Sequence, residues 1–272
     1  MPLLTLNELE KMSGIFRGRS GNAFGRLCMH ILSIDRLNDL YDRNRSLSGP
    51  DFADAILKDI GVHYEIIHEE RLKKLPHGAF IVISNHPYGS IDGVMLVDIF
   101  GHIRPDFKIM ANNILSRIEP LEENFICVTP TGNTRSQATT DSIKGTKMAI
   151  GHVHDGNCLG IFPSGAVSDL SLKDRCIRDR QWQESAIRLI KRLRVPIVPV
   201  HFLDRNSDFY YALGLIDWRV RLLKLPSEVF NKAGKRTRIA IGNIISPHMQ
   251  DEYEDIESFA GFLRRSVYGC LL

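Results

Sequence analysis

Nowhere does the chain approach the roughly 18 uninterrupted apolar residues of a membrane-crossing helix, so any contact with a bilayer is expected to be peripheral. Cysteine is scarce too: Cys28, Cys127, Cys158, Cys176 and Cys270 form no Cys-x-x-Cys pair. Their odd number argues against a disulfide framework and leaves reduced, cytosolic thiols as the default. There is little excess charge of either sign. Lys and Arg total 35 against 32 Asp and Glu, a net charge of +3, which is no nucleic-acid footprint by itself. The absence of internal repeats and low-complexity linkers argues against a repeat array and for one domain. The first eleven residues lack a basic-then-apolar leader pattern, so a cytoplasmic protein is expected.

What the chain does contain is core-forming sequence. Apolar residues make up 43% of its 272 residues, enough for one large α/β core. Helical patterns at about 6–13, 21–43 and 51–59 precede strands near 62–67 and 79–84. A helix at about 91–102, a strand near 106–110 and a short helix at about 111–117 follow. Then come a strand at 125–128, a helix at about 134–154 and a strand at 158–162. A helix at about 183–193, strands at 196–202 and 237–244 and a helix near 251–269 close the chain. Such alternation predicts an α/β fold with a mostly parallel central sheet flanked by helices, and an N-terminal helical element.

The most informative segment is Ser84-Asn85-His86-Pro87-Tyr88-Gly89-Ser90-Ile91-Asp92-Gly93, directly after the apolar run 79–83. A histidine at the end of a strand and a carboxylate at the start of the next helix can form a general base and its orienting partner. Pro87, Tyr88 and Gly89 make a turn with little freedom, which suits a preorganised site. Open α/β sheets place ligands outside the carboxyl ends of their strands, where this turn is expected. A surface hydrogen-bonded pair is the plainer reading of the same two residues.

The segment resembles the Asn-His-x-x-x-x-Asp signature of the glycerolipid acyltransferases, the lysophosphatidic acid acyltransferase-like superfamily. It is more similar to a hemolysin-like branch reading Asn-His-Pro-x-Gly-Gly-x-Asp-Gly, in which the His-to-Asp spacing is one residue longer, as here. Upstream, 52–75 and the Leu-x-x-Leu-Pro-x-Gly run at 72–78 resemble that branch's lead-in. Downstream, Gly160-Ile161-Phe162-Pro163-Ser164-Gly165-Ala166-Val167-Ser168 resembles a Phe-Pro-Glu-Gly-Thr-x-Ser block. Val195-Pro196-Ile197-Val198-Pro199-Val200 resembles a Val-Pro-Ile-x-Pro-Val block, and would be a buried strand in any protein. Three ordered blocks thus cover about 52–203.

The resemblance implies an O-acyltransferase moving a fatty acyl group from acyl carrier protein or coenzyme A to a lyso-lipid hydroxyl. His86 would be the general base and Asp92 its orienter, with no covalent acyl-enzyme. Asn85, Gly89, Ser90, Thr131, Arg135, Phe162, Pro163, Ser164 and Gly165 would contact substrate, Gly165 through backbone N–H groups. No cofactor and no metal is implied. Residues 1–50 would be a membrane-docking helical element and 51–272 the acyltransferase domain, peripheral on the inner face of the cell membrane. Two departures bear on the acceptor: Ser164 stands where the family carries Glu, and Ala166 where it carries Thr. The strand 125–128 also runs into Thr129-Pro130-Thr131-Gly132 without the usual phosphate-binding Arg. A lyso-ornithine or lyso-glycine lipid is therefore the first acceptor and lysophosphatidic acid the second. Arg135, Lys144 and Lys147 are candidates to supply the missing charge.

Other features leave alternatives open. Lys173, Arg175, Arg178, Arg180, Arg188, Lys191, Arg192 and Arg194 form one basic stretch, and Arg219, Arg221, Lys224, Lys232, Lys235, Arg236 and Arg238 another. Either is a solvated face, or an attraction for an anionic membrane, an acidic carrier protein or coenzyme A. Asp179-Arg180-Gln181-Trp182 also resembles the hemolysin-like branch. Residues 14–45 mix apolar and Arg residues in a way that suits helices lying on a bilayer, or equally a cap packed on the sheet. His152, His154 and Asp155, with His102 elsewhere, offer a zinc reading that lacks a third or fourth convergent ligand. Ser164 suggests a thioesterase or lipid hydrolase, although Phe162-Pro163-Ser164-Gly165 is no Gly-x-Ser-x-Gly elbow. A non-catalytic lipid-binding relative is the third class.

Overall fold

A computed structural model describes residues 5–7, 10, 17–128 and 140–271. Its strands are β1 (His63–Ile67), β2 (Ile81–Ser84), β3 (Lys108–Asn112), β4 (Phe125–Val128), β5 (Leu159–Ile161), β6 (Asp169–Ser171), β7 (Cys176–Arg178), β8 (Ile197–Phe202) and β9 (Arg236–Ile241). Seven form one sheet in the order β1-β9-β8-β2-β5-β3-β4, while β6 and β7 pair as a separate antiparallel hairpin. Five strands, β8-β2-β5-β3-β4, run parallel; β9 pairs antiparallel with β8 and parallel with β1. The sheet is therefore mixed but mostly parallel, as expected.

Every residue of β2 is buried, because helices cover both faces of the sheet at its centre. Side chains alternate across a strand, so Phe80 and Val82 enter one core cluster while Ile81 and Ile83 enter the other. Helices α1 (Gly18–Ile31), α2 (Ile34–Asn44), α3 (Gly49–Ile60) and α4 (Ile91–Ile103) precede β3 in the chain. On the Val82 side, α3 and α4 contribute Phe52, Leu57, Met95, Leu96 and Phe100. Helices α5 (Thr140–His154), α6 (Glu184–Leu193), α7 (Asp208–Ile216), α8 (Trp218–Leu223), α9 (Leu225–Phe230), α10 (Pro247–Asp251) and α11 (Ile256–Tyr268) follow β4. On the Ile81 side, α5, α6 and α11 contribute Val153, Ile187, Ile190, Phe259 and Leu263.

Several boundaries differ from the sequence reading for local reasons. The helix expected over 21–43 is two helices, because Ser33 adopts a left-handed backbone (φ 59°) between α1 and α2. The helix expected from 251 starts at 256, where Asp255 accepts the Ser258 N–H as an N-cap. Ser246 likewise caps the separate helix α10. The hairpin β6–β7 and the helices of 208–230 had no counterpart in the expected pattern. The helices expected at about 6–13 and before 140 lie largely outside the described residues.

The proposed boundary at residue 50 also separates residues that pack together. Leu40 and Tyr41 of α2 belong to the main core, and the Tyr41 ring meets Phe52 edge-on at 6.3 Å. By contrast α1 leaves Phe24, Leu27 and Ile31 exposed along one side. Among the described residues no helix is long and apolar enough to cross a membrane. All five cysteines are free.

Candidate active site

Three adjacent parallel strands, β8, β2 and β5, end at the same edge of the sheet, and each carries one of the sequence blocks past that edge. From β2 the chain winds out to β3 and β4, returns to β5 beside β2, then crosses to β8 on the other side. The turn after β2 thus lies where the winding changes direction, the place such sheets offer a ligand.

Asp92 is fully buried in the first turn of α4. Its Oδ2 accepts the N–H groups of Tyr88 (3.0 Å) and Gly89 (3.2 Å), and its Oδ1 accepts that of Gly93 (3.0 Å). Gly89 bends back with φ +81°, and a Cβ there would lie 2.5 Å from Val167 Cγ2, so both conformation and space call for glycine. His86 Nδ1 lies 2.8 Å from Asp92 Oδ2, a contact that becomes an ion pair when the imidazole is protonated. Burial opposes the charge on Asp92, yet His86 and the backbone N–H groups outweigh it and hold the carboxyl below its ordinary range. Burial likewise opposes a charged His86, and Asp92 overcomes it, with a smaller contribution from Asp179, raising the imidazole pKa. With Nδ1 turned to Asp92, Nε2 is the atom left for proton transfer, and the side chain keeps 17% exposure.

The block after β5 closes on the same histidine. The Phe162 ring stacks on the imidazole, centroids 4.1 Å apart. Ser168 donates its N–H to the His86 carbonyl (2.9 Å) and its hydroxyl to Asp179 (2.6 Å). Asp179 is buried and also accepts the His86 N–H (3.1 Å) and the Trp182 indole N–H (3.1 Å). From α11, Tyr268 and Arg264 bond the Asp179 backbone. Burial raises the Asp179 pKa against these hydrogen bonds. Two carboxylates therefore hold His86, Asp92 through the ring and Asp179 through the backbone. The Asp179-Arg180-Gln181-Trp182 run was the only sequence signal for the second.

Several expected substrate residues have their polar groups committed elsewhere. Asn85 bonds Phe202 in both directions, donating to its carbonyl (2.9 Å) and accepting its N–H (2.8 Å), and so extends the β2–β8 pairing. Ser164 donates to the Ala166 carbonyl (2.7 Å), as a turn serine does, rather than to an imidazole as a hydrolase nucleophile would. The Gly165 N–H donates to the Phe162 carbonyl (3.0 Å), so it is not free to meet an oxyanion. Ser90 occupies the N-cap position of α4 without capping it. Phe162 and Pro163 sit beside the His86 ring and the start of α6, where Pro163 accepts the Gln183 N–H. Thr131 and Arg135 lie outside the described residues.

The far side of the turn is held by residues the sequence left without a role. Tyr211 donates to the Pro87 carbonyl (3.1 Å) and Asn206 to the Tyr88 carbonyl (3.2 Å). Lys232, itself buried, donates to Asn206 and pairs with buried Glu228 at 3.5 Å. Much of the basic charge is similarly engaged: Arg178 with Asp174, Arg180 with Asp169, Arg188 with Glu184, Arg194 with Asp251 and Arg238 with Asp204. Arg221 is buried and pairs with Asp169 at the base of the hairpin. His152 of the zinc reading bonds the Cys158 carbonyl (3.1 Å). Open cavities of about 280 Å³ beside Tyr88 and about 350 Å³ beside Asp179 flank the site, and neither has His86 in its wall.

Comparison with known proteins gives matches over most of the chain. The model of a family described as Acyltransferase matches residues 9–269. A lyso-glycine lipid O-acyltransferase of Bacteroides thetaiotaomicron is 28% identical over 246 residues, covering 88% of this chain and 86% of its own. One of the same description from Phocaeicola vulgatus is 29% identical over 248 residues, covering 88% and 84%. Among solved structures, the 1-acyl-sn-glycerophosphate (LPA) acyltransferase PlsC of Thermotoga maritima aligns over 80% of each chain at 14% identity, with a TM-score of 0.48.

Proposed function

The chain belongs to the Acyltransferase family, and on that premise we propose that it esterifies the hydroxyl of a lyso-glycine lipid with a fatty acyl group taken from a thioester. The observation that carries the reading is the pairing of part-exposed His86 with fully buried Asp92 at the carboxyl end of β2. The two relatives named above support the acceptor class. The absence of an Arg from Thr129-Pro130-Thr131-Gly132, directly after β4, agrees with an acceptor that has no glycerol phosphate to hold.

In this mechanism His86 Nε2 takes the proton of the acceptor hydroxyl as its oxygen attacks the thioester carbonyl. Asp92 holds the ring by Nδ1 and stabilises the imidazolium that forms. The tetrahedral intermediate collapses by breaking the carbon–sulfur bond. The thiolate then recovers the proton from His86, giving an ester and a free thiol. Coenzyme A or acyl carrier protein would carry the acyl group, and the exposed side of α1 would help dock the enzyme on the inner face of the membrane.

The test is thiol release by the purified protein from long-chain acyl-coenzyme A and acyl carrier protein thioesters, with and without lyso-glycine lipid. His86→Ala runs in parallel. Acceptor-dependent release, lowered roughly 10²- to 10⁴-fold in the variant, is expected for a general base. Release without acceptor would make the protein a thioesterase. No release with any donor would make it a lipid-binding relative that has lost the reaction.

A further inference from the structure

We propose that the outer side of α7 and α8 is a second bilayer-docking face, through which a membrane lipid reaches His86. This rests on the reading that the acceptor is a lyso-lipid. Within residues 209–223, Phe209, Leu215, Ile216, Trp218, Val220, Leu222 and Leu223 are all exposed, Ile216 at 80%. Scattered exposed apolar residues are ordinary, but seven within fifteen positions make a patch that marks an interaction surface.

The inner side of the same helices is firmly held. Tyr210 and Tyr211 are buried, and Arg221 points inward to Asp169 and the Ser168 carbonyl. These helices therefore have one apolar side packed on the protein and another turned outward.

Two observations favour a lipid surface as the occupant. The first is charge. Helix α7 packs on β6, and the turn of that hairpin exposes Lys173, Arg175 and Leu172, while Asp174 is paired with Arg178. Lys224 follows the patch, its ammonium 5.9 Å from the Phe209 ring. Apolar side chains with a Trp among them, rimmed by Lys and Arg, match an anionic bilayer interface. The second is continuity with the site. Tyr211 bonds the carbonyl of Pro87, the residue after His86, and Arg221 bonds the carbonyl of Ser168, whose N–H holds the His86 carbonyl. These hydrogen bonds tie the helices that carry the patch directly to the turn that holds His86.

The test floats the full-length protein with phosphatidylcholine vesicles, with and without phosphatidylglycerol, and compares it with the double variant Ile216→Glu/Leu223→Glu. Circular dichroism melting checks that the variant is folded. The variant is expected to lose about tenfold in vesicle-bound fraction, and as much in turnover of vesicle-embedded acceptor. Its turnover of a short-chain, monomeric acceptor should match that of the parent. Leu27→Glu/Ile31→Glu, on α1, separates this face from the N-terminal one. A folded Ile216→Glu/Leu223→Glu variant that floats like the parent would overturn the proposal, as would a parent that does not float. So would a parent that is a dimer and becomes monomeric in the variant, since the patch would then cover a second copy. If the parent fails to turn over the monomeric acceptor, the transferase reading fails, while flotation still decides the surface.

Discussion

His86 and Asp92 sit in one turn but depend on different surroundings. Asp92 is fixed by three backbone N–H groups that any sequence with this turn would supply, whereas the His86 backbone is fixed by Ser168 and Asp179 from a distant segment. On the proposed mechanism His86 must be neutral to accept a proton, so activity should be lost as pH falls through its pKa. Because Asp92 and Asp179 raise that pKa against burial, the acid limb of kcat/KM should lie above the ordinary histidine value of 6.5. Asp92→Asn removes the charge that favours the imidazolium, so the limb should move to lower pH. The plateau should also fall roughly 10²- to 10⁴-fold as the ring loses its orienter. Asp179→Asn should move the limb the same way by less. A pH profile of kcat/KM for the three proteins decides this: a limb that stays put in Asp92→Asn would remove Asp92 from control of the base.

At the scale of elements, α5 packs closely on the edge strand β4. A Cβ on Gly145 would lie 2.5 Å from the Cys127 carbonyl oxygen and 2.6 Å from Val128 Cγ1, and backbone cannot yield as a flexible side chain does. Gly145→Ala should therefore destabilise the protein by roughly 1–3 kcal/mol. Gly151→Ala, where a Cβ meets nothing within 4 Å, should be neutral or slightly stabilising. Denaturant midpoints of the two variants make the comparison, and equal midpoints would refute the packing argument. The same scale shows where the sequence pattern loses force. Strands β2, β5 and β8 were legible as apolar runs because burial on both faces leaves only Ser84 and His201 as polar side chains in them. The hairpin β6–β7 and the helices of 208–230 were not, because short elements held by Asp169, Arg221 and Glu228 carry no apolar period.

Across the whole molecule, the N-terminal element divides at Ser33 rather than at residue 50. Helix α2 lends Leu40 and Tyr41 to the core, whereas α1 keeps its apolar side exposed. Removing residues 1–32 should leave the melting temperature nearly unchanged. Removing residues 1–49 exposes the partners of Leu40 and Tyr41, at a cost of roughly 1.5–3 kcal/mol for each side chain. Melting temperatures of the two truncations check this, and a large loss in the shorter one would show that α1 also supports the fold.

By itself the sequence determined the α/β alternation, the position of β2 and the presence of His86 and Asp92 in one short turn. These are local matters: apolar runs choose buried strands, and a fixed six-residue spacing brings a helix-start carboxylate back to a strand-end ring. Tertiary structure decided everything that depended on non-local contact. It reversed β9 against β8, committed Asn85, Ser164 and Gly165 to the scaffold, and brought Asp179 from 93 positions away to the His86 backbone. Hydrogen bonds between distant segments leave no periodic trace in a single chain, so only the folded sheet could pair those residues.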